Sequence, residues 1–116
     1  KSIFIEKNPS TARLIESNLR KLKIPLKPVV ADAVRFLRNT SDRFDVIFAD
    51  PPYAKDELFH EVLALVADRR LLLDNGILIV EKPVSLKLNT DKTYEVLRDK
   101  TYGSTELVFL SALSES

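Results

Sequence analysis

The 116-residue sequence contains no cysteine, no methionine and no tryptophan, and it has only two glycines. Without cysteine, the chain can form neither a disulfide bond nor a thiolate metal site. No apolar run approaches the roughly 18 residues that a membrane-spanning helix needs, and no signal peptide is visible. With 45% hydrophobic and 30% charged residues, the composition is typical of one globular domain over residues 1–116, for which a cytoplasmic location is the default expectation.

The net charge of +1 conceals an uneven distribution, because residues 1–28 contain seven lysines and arginines but only two glutamates. This cationic stretch has two interpretations. It is either a solvated helix face whose cations lie near the helix C-terminus, where the helix dipole favours them, or a surface that contacts the phosphates of a nucleic acid. No group of side chains has metal-ligand spacing, and no Ser/His/Asp set is apparent.

Apolar periodicity divides the chain into alternating strands and helices. The expected strands are 2–6, 29–31, 44–49 and 77–81, and the expected helices follow Asn8, Asp32 and the prolines at 51–52. The Asp74-Asn75-Gly76 stretch is expected to turn the chain into the strand at 77–81. A hairpin is expected from 94–100 and 105–110, with Tyr102-Gly103 in its turn. This order predicts an α/β fold: an open, mostly parallel sheet with right-handed crossovers, followed by a C-terminal antiparallel hairpin.

Acidic residues stand at or just past the ends of the first three expected strands. They are Glu6, Asp32 and Asp50. Open parallel sheets bind ligands at the carboxyl ends of their strands, where an acid can accept hydrogen bonds from the ribose hydroxyls of a nucleotide. Glu6 could also be an ordinary surface residue, and Asp32 could either cap its own helix or receive an adenine amino group.

The stretch Asp50-Pro51-Pro52-Tyr53 follows an apolar strand directly. Each proline keeps the residue before it extended, so the backbone should continue stiffly beyond the sheet. A carboxylate, proline-flanked carbonyls and an aromatic ring suit a flat nucleobase with an exocyclic amine, which must first leave its stack. The alternative is a Pro-Pro turn into a helix, with Asp50 solvated and Tyr53 packed.

Five stretches together resemble the RsmD-like branch of the class I S-adenosylmethionine-dependent methyltransferases. They are FIEKNPSTARLIESNLRKL, VVADAVRFL, FDVIFADPPYAKD, LLLDNGILIVEKP and DKTYGSTELVFL, and their order covers nearly the whole chain. Members of this branch methylate the N2 amine of a guanine in bacterial 16S ribosomal RNA. The resemblance therefore implies a Rossmann-like sheet, S-adenosylmethionine as cofactor and ribosomal RNA as partner, with no membrane association.

The resemblance also implies roles for the residues around the cofactor. Glu6, next to Lys7, would hold the cofactor ribose. Asp32 and the backbone at Ala33 would bind the adenine. Asp50 would border the cofactor as well as the target base.

For the target base, the resemblance implies a role for each part of the Asp50-Pro51-Pro52-Tyr53 motif. Asp50 and the Pro51 carbonyl would accept the two amine hydrogens, Pro52 would keep the backbone extended, and Tyr53 would stack on the base. Asp50 would orient the amine more than deprotonate it, and catalysis would come mainly from positioning.

The sequence departs from the family pattern in one respect. The first strand and its glycine-rich loop should precede Lys1, and neither Gly76 nor Gly103 follows an N-terminal strand. We therefore expect a fragment whose sheet lacks the strand between those ending at Glu6 and Asp50. Those two strands would pair directly, exchange with another chain through their exposed edges, or depend on a supplied segment.

Two other functions compete with the leading prediction. The DPPY motif also occurs in DNA adenine-N6 methyltransferases, although nothing here resembles a target-recognition domain. A catalytically inert module that binds RNA or protein on the same scaffold is the second alternative. The retention of Glu6, Asp32 and an intact motif at Asp50 argues against it.

Overall fold

The computed structural model describes residues 2–6, 27–30, 33–50, 56–90 and 93–113, and these form strands and helices in the expected alternation. The expected helix after Asn8 lies outside the described residues. The strands are β1 (Ser2–Glu6), β2 (Lys27–Val30), β3 (Phe44–Asp50), β4 (Leu72–Pro83), β5 (Tyr94–Tyr102) and β6 (Thr105–Ala112). The helices are α1 (Ala33–Asn39) and α2 (Asp56–Asp68).

The described strands form one six-stranded sheet in the order β2-β1-β3-β4-β6-β5. The pairs β1–β2, β1–β3 and β3–β4 are parallel, whereas β4–β6 and β5–β6 are antiparallel. This confirms the predicted α/β class, with a mostly parallel sheet that ends in an antiparallel hairpin.

Strands β1 and β3 pair directly with each other. Their register runs from Ser2 opposite Val46 to Glu6 opposite Asp50. Of the three arrangements expected for these strands, direct pairing is therefore the one observed. The expected self-association depends on the facing edges of β1 and β3, and in this sheet those two edges pair with each other. The outer strands of the described sheet are β2 and β5.

The main core lies on the face of the sheet that α1 and α2 cover. Helix α2 contributes a buried stripe at helical spacing, Phe59, Val62, Leu63 and Val66, which packs against buried residues of β3, β4 and β6. Full burial of such a side chain contributes about 1.5–3 kcal/mol. A smaller cluster on the opposite face includes Phe48 and Ile79.

The Asp74-Asn75-Gly76 stretch differs from the prediction, which made it a turn ahead of a strand at 77–81. β4 already begins at Leu72, and the stretch forms an irregularity inside it, since Phe44 pairs with Leu72 but Val46 pairs with Ile77. Asn75 has a positive φ of 64°. A Cβ on Gly76 would lie 2.8 Å from the Leu73 carbonyl oxygen, so glycine is required there.

The β5–β6 hairpin confirms the prediction for the Tyr102-Gly103 region, although both strands are longer than expected. Tyr102 pairs with Thr105 across a two-residue turn in which Gly103 has a φ of 57°. The first residue of the favoured two-residue hairpin turns has a positive φ, which glycine adopts without strain. The Val84 N–H donates to the Ser104 carbonyl at 2.9 Å, which ties the turn to the chain leaving β4.

Candidate active site at the carboxyl ends of the strands

The order of the strands reverses direction between β1 and β3. From β1 the chain goes to β2 on one side and then to β3 on the other. In open α/β sheets, such a reversal marks the crevice in which ligands bind, at the carboxyl ends of the strands. Glu6 and Asp50 end β1 and β3 at this point and are register partners.

Of the other residues predicted for the site, the structure describes only Ala33. Ala33 is the first residue of α1, so the ladder of that helix supplies no acceptor for its N–H. Lys7, Asp32 and the stretch 51–53 lie outside the described residues. The fold thus brings Glu6 and Asp50 together at the level of the backbone, and the roles of all these residues stay predictions.

Glu81 is a further acid at the carboxyl ends of the strands, in addition to the three that the sequence predicted. Ala49 pairs with Val80, and Asp50 and Glu81 directly follow this pair on neighbouring parallel strands. Glu81 is half-buried. The sequence contained a signal for it, because the apolar run 77–80 is followed by an acid in the same way as the run that leads to Glu6.

A buried ion pair stiffens the neighbouring part of the rim. The Lys82 ammonium donates to Glu106 Oε1 at 2.6 Å, to the Pro83 carbonyl at 3.1 Å and to the Leu86 carbonyl. The two side chains are only 5% and 17% exposed. All three donors of the ammonium are thereby used, and they join β4, the turn that follows it and β6.

These features suit a ligand that donates hydrogen bonds. An ionised carboxylate only accepts hydrogen bonds, so acids at two neighbouring strand ends fit hydroxyl and amino groups. Among the described residues, no group of three or more metal-binding side chains lies close enough to hold an ion. Within the same residues, no helix is long and apolar enough to cross a membrane.

Comparison with known proteins relates the chain to methyltransferases. The family described as conserved hypothetical protein 95 matches residues 1–111. An uncharacterized methylase of Rickettsia prowazekii is 32% identical over 88 residues. The ribosomal RNA small subunit methyltransferase D of Haemophilus influenzae is 27% identical over 108 residues. These alignments cover 76% and 89% of the chain.

Solved structures share the fold. A Haemophilus influenzae protein described provisionally as a methylase superposes with a TM-score of 0.67 at 24% identity, over 98% of this chain and 73% of its own. A conserved hypothetical protein of Streptococcus pyogenes superposes with a TM-score of 0.65 at 26% identity, over 93% of this chain and 69% of its own.

The chain spans 34% and 55% of the lengths of the two curated relatives. The family match nevertheless covers almost all of its 116 residues, and the solved structures that share its α/β fold are similar over nearly the whole chain. The chain therefore belongs to the family described as conserved hypothetical protein 95, the RsmD-like methyltransferases.

Proposed function

We propose that the intact protein containing this chain methylates the exocyclic N2 amine of a guanine in 16S ribosomal RNA, with S-adenosylmethionine as methyl donor. The observation that carries the proposal is the position of Glu6 and Asp50 at the carboxyl ends of β1 and β3, on the two sides of the point where the strand order reverses. The Haemophilus influenzae relative is named as a methyltransferase of small-subunit ribosomal RNA, which supports such a substrate. Such a substrate implies a cytoplasmic protein.

The chemistry of the residues present fits the cofactor at its nucleoside end. Glu6 would accept hydrogen bonds from the ribose hydroxyls, with Lys7 beside it. Asp32 would accept from the adenine amino group, and the Ala33 N–H would donate to a ring nitrogen. Glu6 is the register partner of Val30, the last residue of β2, and α1 begins at Ala33, so ribose and adenine would meet neighbouring strand ends. The bound cofactor would supply an electrophilic methyl group.

The residues that follow β3 would hold the target guanine. Asp50 and the Pro51 carbonyl would accept hydrogen bonds from the two hydrogens of the amine. These bonds would draw the nitrogen lone pair out of conjugation with the ring and turn it toward the cofactor. Pro52 would hold the backbone extended, and Tyr53 would stack on the flipped base. Asp50 would also border the cofactor. This arrangement lowers the barrier by positioning the amine, with no base needed before transfer.

The proposal is tested by identifying the methylated nucleoside. The intact protein is incubated with methyl-labelled S-adenosylmethionine and with naked 16S RNA, assembled small subunits or double-stranded DNA, and each digest is analysed by mass spectrometry. We expect N2-methylguanosine from one or both RNA substrates and no label in DNA. N6-methyladenine in DNA, or no transfer to any substrate, would overturn the proposal.

A further inference from the structure

The exposed strand β5 carries a feature that the proposed reaction does not use. From Glu95 to Tyr102 every residue of this outer strand is exposed. Arg98, Lys100 and Tyr102 alternate along it and so share one face of the sheet. We call these three residues the hairpin stripe.

The hairpin stripe lies on the same face of the sheet as Glu81, near the end of β4. Glu81 and Lys100 are both register partners of Leu107 on β6, and register partners lie on one face. Tyr102 and Pro83 likewise share Thr105 as partner. The tip of the hairpin is therefore level with the end of β4, beside the proposed site.

The stripe combines an accessible aromatic ring with cations. Tyr102 is 52% exposed although it is a large aromatic residue. The Lys100 ammonium lies 5.2 Å from the centroid of its ring, a cation–π distance. The acid Asp99 alternates to the opposite face as the register partner of Val108, and Glu95 lies at the far end of the strand.

The stripe is presented on a rigid support. The Lys82–Glu106 ion pair joins β6 to β4, and the Val84–Ser104 hydrogen bond holds the turn. Between the stripe and β4, the half-buried side chains of Leu107 and Phe109 form an apolar floor. Preorganised aromatic and cationic groups beside an apolar floor are what a single-stranded nucleic acid binds, through base stacking and phosphate contacts.

We propose that the hairpin stripe binds the single-stranded RNA that flanks the target nucleotide, with Tyr102 stacking on a base and Lys100 and Arg98 contacting phosphates. This inference rests on the proposed function and names a second contact of the same substrate. Asp50 and Lys100 lie three strands apart, about 14 Å at the usual strand spacing. That separation suits neighbouring nucleotides and not the target base itself.

The test measures RNA binding without cofactor. The intact protein is titrated into a short, end-labelled, single-stranded RNA of mixed sequence, and fluorescence anisotropy is followed at several salt concentrations. We expect Tyr102→Ala to weaken binding about tenfold, while Tyr102→Phe stays within about twofold of wild type. Lys100→Gln and Arg98→Gln should each reduce the slope of log affinity against log salt by about 0.7.

Thr101→Ala is the matched control, because it alters an exposed residue of the same strand on the opposite face. It should bind RNA like wild type. Thermal unfolding of every variant checks that the hairpin is intact. The inference is overturned if Tyr102→Ala and Lys100→Gln both bind within about twofold of wild type, or if Thr101→Ala loses as much affinity as they do.

A second measurement does not depend on variants. RNA containing 4-thiouridine is crosslinked to the wild-type protein, and the adducts are mapped by mass spectrometry. Adducts in the peptide that contains Arg98 to Tyr102 support the inference, and adducts confined to other peptides overturn it. If the protein methylates RNA but the stripe variants bind normally, this inference alone fails; if stripe variants lose RNA binding but wild type transfers no methyl group, the proposed function alone fails.

Discussion

At the scale of single residues, Asp50 and Tyr53 carry separable parts of the proposed reaction. Asp50 ends β3 and is aligned with Glu6, whereas Tyr53 belongs to the sequence motif beyond the strand. The carboxylate would fix the direction of the amine, and the ring would hold the plane of the base. Substitutions that remove one function and keep the other can therefore distinguish them.

Asp50→Ala should remove most methyl transfer and leave S-adenosylmethionine affinity nearly unchanged. Loss of one acceptor in a preorganised site typically costs roughly 3–4 kcal/mol in the transition state, or about 100- to 1,000-fold in kcat. The measurements are single-turnover methylation and a separate cofactor titration. Asp45→Ala is the control, because it removes an exposed carboxylate from the same strand. Turnover of Asp50→Ala within a few-fold of wild type would contradict the amine-orienting role.

Tyr53→Ala should impair RNA methylation more than Tyr53→Phe, because the ring and not the hydroxyl is assigned to the base. Stacking of a base on an aromatic side chain is worth about 1–3 kcal/mol. The comparison is made on kcat/KM for RNA at saturating cofactor. Equal damage in the two variants would assign the function to the hydroxyl group.

At the scale of elements, buried polar contacts hold strands and helices in the positions that form the rim. The Lys82–Glu106 pair connects β4 with β6. The Tyr94 hydroxyl at the start of β5 donates to the Leu63 carbonyl of α2 at 2.6 Å. Both contacts join elements that are distant in the sequence.

Lys82→Met should destabilise the protein by about 3–5 kcal/mol, because it leaves the Glu106 carboxylate poorly solvated and without its cation. The double variant Lys82→Met/Glu106→Leu should recover much of this loss, since no unpaired charge then remains. Urea unfolding of wild type, both single variants and the double variant measures the coupling. Additive effects of the two single substitutions would show that the pair does not act as a unit.

Tyr94→Phe should lower the free energy of unfolding by about 1 kcal/mol at neutral pH, through loss of one buried hydrogen bond. Burial, and secondarily the charge of Asp68, raises the pKa of Tyr94 well above its usual value of 10. The folded state therefore resists ionisation. The stability that depends on the protonated hydroxyl is complete below the unfolded pKa of about 10 and declines as the pH rises above it.

The difference between wild type and Tyr94→Phe should accordingly shrink between neutral pH and about pH 11. Urea unfolding at the two pH values measures it. Tyr102→Phe is the matched control, because that tyrosine is exposed on the same strand. A difference for Tyr94 that is the same at both pH values would contradict the role of its ionisation.

At the scale of the whole molecule, the direct pairing of β1 with β3 limits what residues 1–116 can bind by themselves. Glu6 and Asp50 lie on strands about 4.8 Å apart. Their proposed partners, a cofactor ribose and a target amine, belong to two different molecules. A single strand spacing leaves too little room for both partners side by side. In addition, neither Gly76 in β4 nor Gly103 in the hairpin belongs to a glycine-rich loop near β1.

A polypeptide of residues 1–116 alone should therefore bind S-adenosylmethionine very weakly or not at all. Calorimetric titration, with sedimentation to establish the oligomeric state, measures this directly. The intact protein is the positive control. Micromolar binding by the monomeric polypeptide would show that a glycine-rich loop is dispensable and that the proposed roles of Glu6 and Asp50 need revision.

Much of the fold, and the placement of Glu6 and Asp50 at strand ends, could be predicted from the sequence, because both depend on local patterns. Apolar runs of strand length, helical spacing in Phe59–Val66 and acids at strand ends are short-range signals. They correctly located α2, β3 and the hairpin. The alternation of strands and helices predicted an open α/β sheet, which the strand order and the solved structures confirm. The roles of Glu6, Lys7, Asp32, Ala33, Asp50 and the residues at 51–53 stay predictions.

Other features depend on which strands become neighbours, and only the tertiary structure decided them. Lysine side chains are usually exposed, yet Lys82 is buried next to Glu106, which the pairing of β4 with β6 brings beside it. The sequence predicts a turn at residues 74–76, yet they lie within β4, because β3 pairs with β4 residues on both sides of them. The sequence by itself determined the order of the elements and the acids that end them. The alignment of Glu6 with Asp50 was decided by long-range hydrogen bonding between β1 and β3, since strand pairing leaves no periodic signal within either strand.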